Sequence, residues 1–152
     1  MAWVERTAAN WGHWDFGPAL TSPIPEPLIE RLREDQDAFD IRLLEDVLAR
    51  IGEDREVLEH LGHLYTQAKR YRDGLAVDQR LVALKPRDPI AHYNLGCSLA
   101  LLKQNTPAVA ALRRAIELGY RDFEHMQKDP DLENLRGDPR WADLVNAGKP
   151  QA

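Results

Sequence analysis

The chain has 152 residues, of which 43% are hydrophobic and 30% charged, with a formal net charge of −5 and one cysteine. That length supports one domain with a real core, the balance excludes a disordered chain, and the acidic charge excludes non-specific nucleic-acid binding, which needs clustered Lys and Arg. With no apolar run of membrane-spanning length, no secretory leader in MAWVERTAANW and only Cys97 as a thiol, the expected setting is the cytoplasm, without membrane or disulfide.

Residues 1–24 form an aromatic arm, with Trp3 and then NWGHWDFGP (Asn10–Pro18), where Trp11, Trp14 and Phe16 crowd together. Large aromatic side chains bury about 150–250 Å² each, so they are costly to leave in water. Three readings follow: the arm caps the start of the folded domain in cis, inserts into a second copy to make a homodimer, or is a motif read by another protein. Pro23, Pro25 and Pro27 then punctuate the chain. A short helix is expected over Glu26–Glu34, and a second one carries Ile41, Leu44, Leu48 and Ile51 on one face.

From Asp54 onward the sequence repeats itself every 34 residues. Leu61-Gly62 returns as Leu95-Gly96, Leu81 as Ala115 and Leu84 as Leu118, while Asp54, Asp88 and Asp122 share the interval. Each aspartate precedes a helical pattern, where its carboxylate can accept the unpaired N–H groups of a first turn. Pro89 follows Asp88 at a first helical position, and Thr106 before Pro107 reads as another cap. Each unit holds two amphipathic helices, the first pair built on Val57, Leu58, Leu61, Leu64, Tyr65 and on Tyr71, Leu75, Leu81, Val82, Leu84. Glycine in mid-helix costs up to about 1 kcal/mol, so Gly62 and Gly96 imply a helix crossing close by.

The segment Glu56–Pro86 carries Leu58, Leu61, Gly62, Tyr65, Tyr71, Gly74, Leu84 and Pro86, and His92–Leu118 carries Asn94, Leu95, Gly96, Leu99, Ala108 and Ala115. In these residues the chain resembles the tetratricopeptide repeat family. Asp78 stands where an aromatic or leucine is usual, and Tyr120 replaces the closing proline. The resemblance implies an all-α fold, a right-handed α-solenoid of helix-turn-helix repeats with capping helices. The expected division is the arm 1–24, a domain 25–147 and a tail 148–152. Within the domain lie a degenerate repeat 25–54, repeats 55–88 and 89–122, and a cap 123–147. Asp129-Pro130 and Asp138-Pro139 break the cap into short pieces whose Leu132, Leu135, Trp141 and Leu144 fold back over the last helix. The cap is similar to the segment that ends bacterial arrays of this kind.

No phosphate loop, nucleophile elbow, HExxH or CxxC is present, so catalysis and cofactors are not expected. Glu59, His60 and His63 share a helix, but two histidines do not hold a metal alone, and a polar Glu59–His63 pair is the plainer reading. Cys97 lacks a base beside it in sequence and reads as a packing residue. The family resemblance instead implies a concave groove lined by the first helix of each repeat, here Glu56, Glu59, His63 and Thr66, then Ile90, Tyr93, Cys97 and Ala100, with Glu124 and Gln127 continuing the row. The basic and amide residues that clamp a C-terminal carboxylate in some relatives are replaced here, so that ligand is not expected. The expected function is a non-catalytic adaptor that binds a peptide or partner protein through the groove. The alternative is a self-assembling protein joined by its arm.

Overall fold

The computed structural model describes residues 26–146, and among these there are seven α-helices and one 3₁₀ helix, with no strand. The arm residues Trp11, Trp14 and Phe16, and the tail, lie outside the described residues. Helix α1 (Glu26–Ile51) is a single helix, which corrects the expected pair of short helices. Between Glu34 and Ile41 the chain reads EDQDAFD, without Gly or Pro, so nothing breaks the i to i−4 ladder where a turn was expected. Residues Glu26–Arg33 belong to a first unit of the chain, and there Leu28 and Leu32 are exposed.

The second unit begins at Glu34. Its helices α2 (Arg55–Gln67), α3 (Tyr71–Leu84), α4 (Pro89–Leu101) and α5 (Asn105–Leu118) each pack on the next. One core joins Ile41 and Leu48 of α1 to Leu58, Leu61, Tyr65, Val77 and Leu81. Glu45 strengthens that junction, accepting a hydrogen bond of 2.5 Å from the Tyr65 hydroxyl, while Arg70 lies 4.6 Å above the Tyr65 ring. A second core joins α4 and α5 to α6 (Phe123–Lys128), the 3₁₀ helix Pro130–Leu135 and α7 (Trp141–Asn146). Met126, Leu132, Leu135 and Leu144 are buried in it, and Trp141 packs against its edge.

The aspartate caps are formed as the spacing predicts. Asp54 accepts from the Val57 N–H at 3.0 Å, Asp88 from Ile90 at 2.9 Å and Asp122 from His125 at 2.9 Å. Thr106 does not cap α5, which begins at Asn105 behind Gln104 with no side-chain cap. The turns also repeat. Lys69 (φ 57°) and Lys103 (φ 60°) both adopt the left-handed conformation, 34 positions apart. Arg70 N–H bonds the Tyr65 carbonyl at 2.7 Å, and Gln104 N–H bonds that of Leu99 at 2.9 Å.

The two mid-helix glycines differ. A Cβ on Gly96 would sit 2.7 Å from Leu112 Cγ and Cδ2, so α5 crosses directly over it. A Cβ on Gly62 would meet Val77 Cγ1 at 3.4 Å, an ordinary contact. Among the described residues no helix is long and apolar enough to cross a membrane.

Candidate functional site

A cleft of about 300 Å³ opens between α2, α3 and α4 on one side and residues 125–131 on the other. Five of the eight residues expected in the groove line it: Glu59, His63 and Thr66 from α2, and Tyr93 and Cys97 from α4. The other three do not. Glu56 and Ile90 are exposed on the first turns of their helices, outside the cleft, and Ala100 is fully buried in the second core. Helical spacing predicts all four α4 positions on one face, but the terminal segment covers that face near Ala100, where Asn134 Nδ2 donates to the Ala100 carbonyl at 3.2 Å.

Glu59 and His63 do not pair with each other. Glu59 meets Arg55 at 3.4 Å, Gln67 donates to His63 Nε2 at 2.9 Å, and His60 lies 3.1 Å from the Glu56 carbonyl. Each side chain finds its partner along the exposed side of its own helix.

The far wall comes from the C-terminal segment. Asp129 caps the 3₁₀ helix, accepting from the Asp131 N–H at 2.9 Å on Oδ1. Its Oδ2 accepts the Tyr93 hydroxyl proton at 2.6 Å and lies 3.8 Å from Cys97 Sγ and 3.5 Å from His125 Nε2. Tyr93 is itself pinned by stacking on Tyr120, with centroids 4.3 Å apart and planes within 4°. Burial, with the negative charge and hydrogen bond of Asp129 adding, holds the Tyr93 hydroxyl well above its usual range. Burial also pushes Tyr120 up to about 12. Tyr93 is thus held in the wall of the cleft by the stack and the hydrogen bond.

The Cys97 thiol is driven well above the usual value by burial and by Asp129, so it stays protonated and is a poor nucleophile. Asp131 is raised too, by burial first and then by Asp129, while His125 and His63 oppose the shift.

The base of the cleft is Asp78 of α3, buried at 5% exposure. Its Oδ2 accepts a 2.5 Å hydrogen bond from Ser98 Oγ of α4. Burial raises its pKa to about 6 against the pull of that hydrogen bond. Asp78 stood out in the sequence as a departure from the repeat pattern, yet nothing there said that it faces a cleft. Asp129 stands out in the sequence only as part of an Asp-Pro break in the terminal segment. From α6, which is six residues long, His125 lines the cleft where Glu124 and Gln127 were expected; Glu124 instead pairs with Lys128 at 2.6 Å in solvent.

No family model matches the chain. It is 31% identical over 109 residues to a chloroplastic protein of Arabidopsis thaliana, covering 70% of this chain and 31% of that protein. The chain thus spans about a third of that relative's length. Its fold is similar to the solved structure of the MamA RS-1 ArsTM double mutant, a tetratricopeptide-repeat protein, with a TM-score of 0.56 and 18% identity over 74% of this chain and 66% of the other. Together with the helix pairs and the recurring turns, this similarity gives the fold as an all-α, tetratricopeptide-type array.

Proposed function

We propose that this protein is a non-catalytic interaction module that holds a segment of a partner protein in the cleft between α2, α4 and residues 125–131. The observation that carries the reading is the convergence of Glu59, His63, Thr66, Tyr93 and Cys97, from two successive repeats, on one half-open cleft. A rigid polar wall beside small and aromatic side chains suits an inserted peptide group. The tetratricopeptide-type fold supports this reading, and the protonated Cys97 and doubly bonded Asp129 argue against nucleophilic chemistry at the site. A homodimer through Trp11, Trp14 and Phe16 is a separate proposal, tested by mass at several protein concentrations.

The test is selection of peptides from a random display library on the immobilised full chain, followed by challenge with His63→Trp. His63 is exposed at the rim, so the added bulk obstructs the cleft while leaving both cores alone. Peptides that bind the wild type and lose at least about tenfold affinity for the variant support the reading. Peptides that bind both equally would place the interaction elsewhere.

A further inference from the structure

We propose that the outer face of α1 is a self-association surface, on which a second copy of this chain docks antiparallel about a two-fold axis. The surface is separate from the cleft and from the aromatic arm.

Helix α1 turns Ile41, Leu44 and Leu48 toward the first core. On the same helix Leu28, Leu32, Phe39 and Leu43 are 48%, 54%, 55% and 51% exposed. At 3.6 residues per turn these four fall within about 60° of one another, on the side away from Ile41, Leu44 and Leu48. A helix that packs on one core needs one apolar stripe, and α1 carries a second. Four large side chains, each half in water, make a stripe of roughly 300–400 Å², the size that marks an interaction site rather than scattered apolar residues.

The spacing of the stripe selects its occupant. The steps from Leu28 to Leu32, to Phe39 and to Leu43 are four, seven and four residues, so the pattern reads the same in both directions. A contact about a two-fold axis needs that property, because the same patch on both copies must be its own complement. When two α1 helices lie antiparallel with the axis between Asp35 and Gln36, Leu28 faces Leu43 of the second copy and Leu32 faces its Phe39. Each contact then occurs twice. A slip of one turn sets Asp35 against Leu32 or Gln36 against Phe39, so the polar residues at the centre fix the register.

The charges agree with this pairing. Along one edge of the stripe, Arg33 of each copy comes within one turn of Asp40 of the other. Gln36 Nε2 donates to Asp40 Oδ1 at 2.8 Å and so steadies the carboxylate at that edge. Such exposed pairs add little affinity, but they favour one orientation over others. The apolar area is at the low end for a specific interface, so the dimer is expected to form at about 10–100 µM rather than as an obligate pair.

The test is sedimentation equilibrium of the full-length protein from about 1 to 500 µM, for the wild type, Leu32→Lys and Phe39→Glu. Both positions are exposed, so neither change disturbs a core. The wild type is expected to pass from monomer to dimer mass across that range. Each variant alone is expected to associate at least about tenfold more weakly, because a charge then meets an apolar side chain at two places. An equimolar mixture of the two is expected to recover dimer mass. In the mixed pair the introduced lysine faces the introduced glutamate at one contact, and the native Leu32 and Phe39 meet at the other. A wild type that stays monomeric throughout would overturn the proposal and leave the stripe to the arm or to a different protein. Association that persists in both variants would overturn it too, and its loss in Trp11→Ala would then assign the dimer to the arm. Variants that lose association and do not recover it when mixed would overturn the antiparallel pairing.

Discussion

Asp78 is a carboxylate placed in a repeat core where the fold itself would be served better by an apolar side chain. Its pKa of about 6 in the folded chain, against 3.8 when exposed, means that folding favours the protonated form. Between those values the native state binds the proton more tightly than the unfolded chain, so stability falls as pH rises through that window and levels off above it. The full effect is about 3 kcal/mol at 1.36 kcal/mol per pKa unit. Asp78→Asn is therefore expected to stabilise the protein by about 1–2 kcal/mol at pH 7.5 and to flatten its stability between pH 6 and 4, as chemical denaturation at several pH values would show. An unchanged profile would mean that the buried charge is compensated.

The two mid-helix glycines make a sharper comparison at the same scale. Gly96→Ala drives a methyl group into Leu112 and is expected to cost about 1–3 kcal/mol. Gly62→Ala meets only ordinary contacts and gains helix propensity, so it is expected to be neutral or stabilising by up to about 1 kcal/mol. The repeated Leu-Gly pair made the two glycines look alike in sequence. What separates them is how closely the next helix crosses, which depends on Leu112 at one junction and Val77 at the other.

Among elements, the helices whose ends carry strong local chemistry were readable in advance. Asp54, Asp88 and Asp122 mark their starts because a short carboxylate satisfies the first-turn N–H groups without help from the rest of the fold. Helix α1 runs past the short first helix that the proline spacing suggests, because the six residues Asp35–Asp40 after it hold no signal that stops one. The turns were not readable either. Lysine does not advertise a left-handed conformation, yet Lys69 and Lys103 both adopt it. That conformation costs a residue with a Cβ roughly 1 kcal/mol. Lys69→Gly and Lys103→Gly are each expected to raise stability by about 0.5–1 kcal/mol in thermal unfolding, with additive effects because the turns are far apart in sequence and share no hydrogen-bond partner. A loss in either variant would show that the lysine side chain carries an interaction of its own.

At the scale of the molecule, the second core depends on residues far along the chain. Met126, Leu132, Leu135 and Leu144 are buried beside Ala108 and Leu112 of α5. A chain ending at Asp122 is expected to lose cooperative unfolding of α4 and α5 and to bind a hydrophobic dye, since four buried side chains worth about 1.5–3 kcal/mol each are removed. Retention of one sharp transition would show that the repeats hold without this cover. The candidate site was half legible for the same reason. The α2 and α4 wall follows from helical spacing, so Glu59, His63, Thr66, Tyr93 and Cys97 were within reach of the sequence. The opposite wall is set by tertiary contacts, above all the Tyr93–Asp129 hydrogen bond across 36 positions, and no local pattern encodes it.

That bond also ties the site to the order in which the polypeptide is made. The α2 wall leaves the ribosome long before Asp129 and Asp131 are synthesised, so a nascent chain carries the first wall without its counterpart. On the proposed function, binding at the cleft requires a chain translated past residue 131, and a product stopped short of it is expected not to compete for the partner segment.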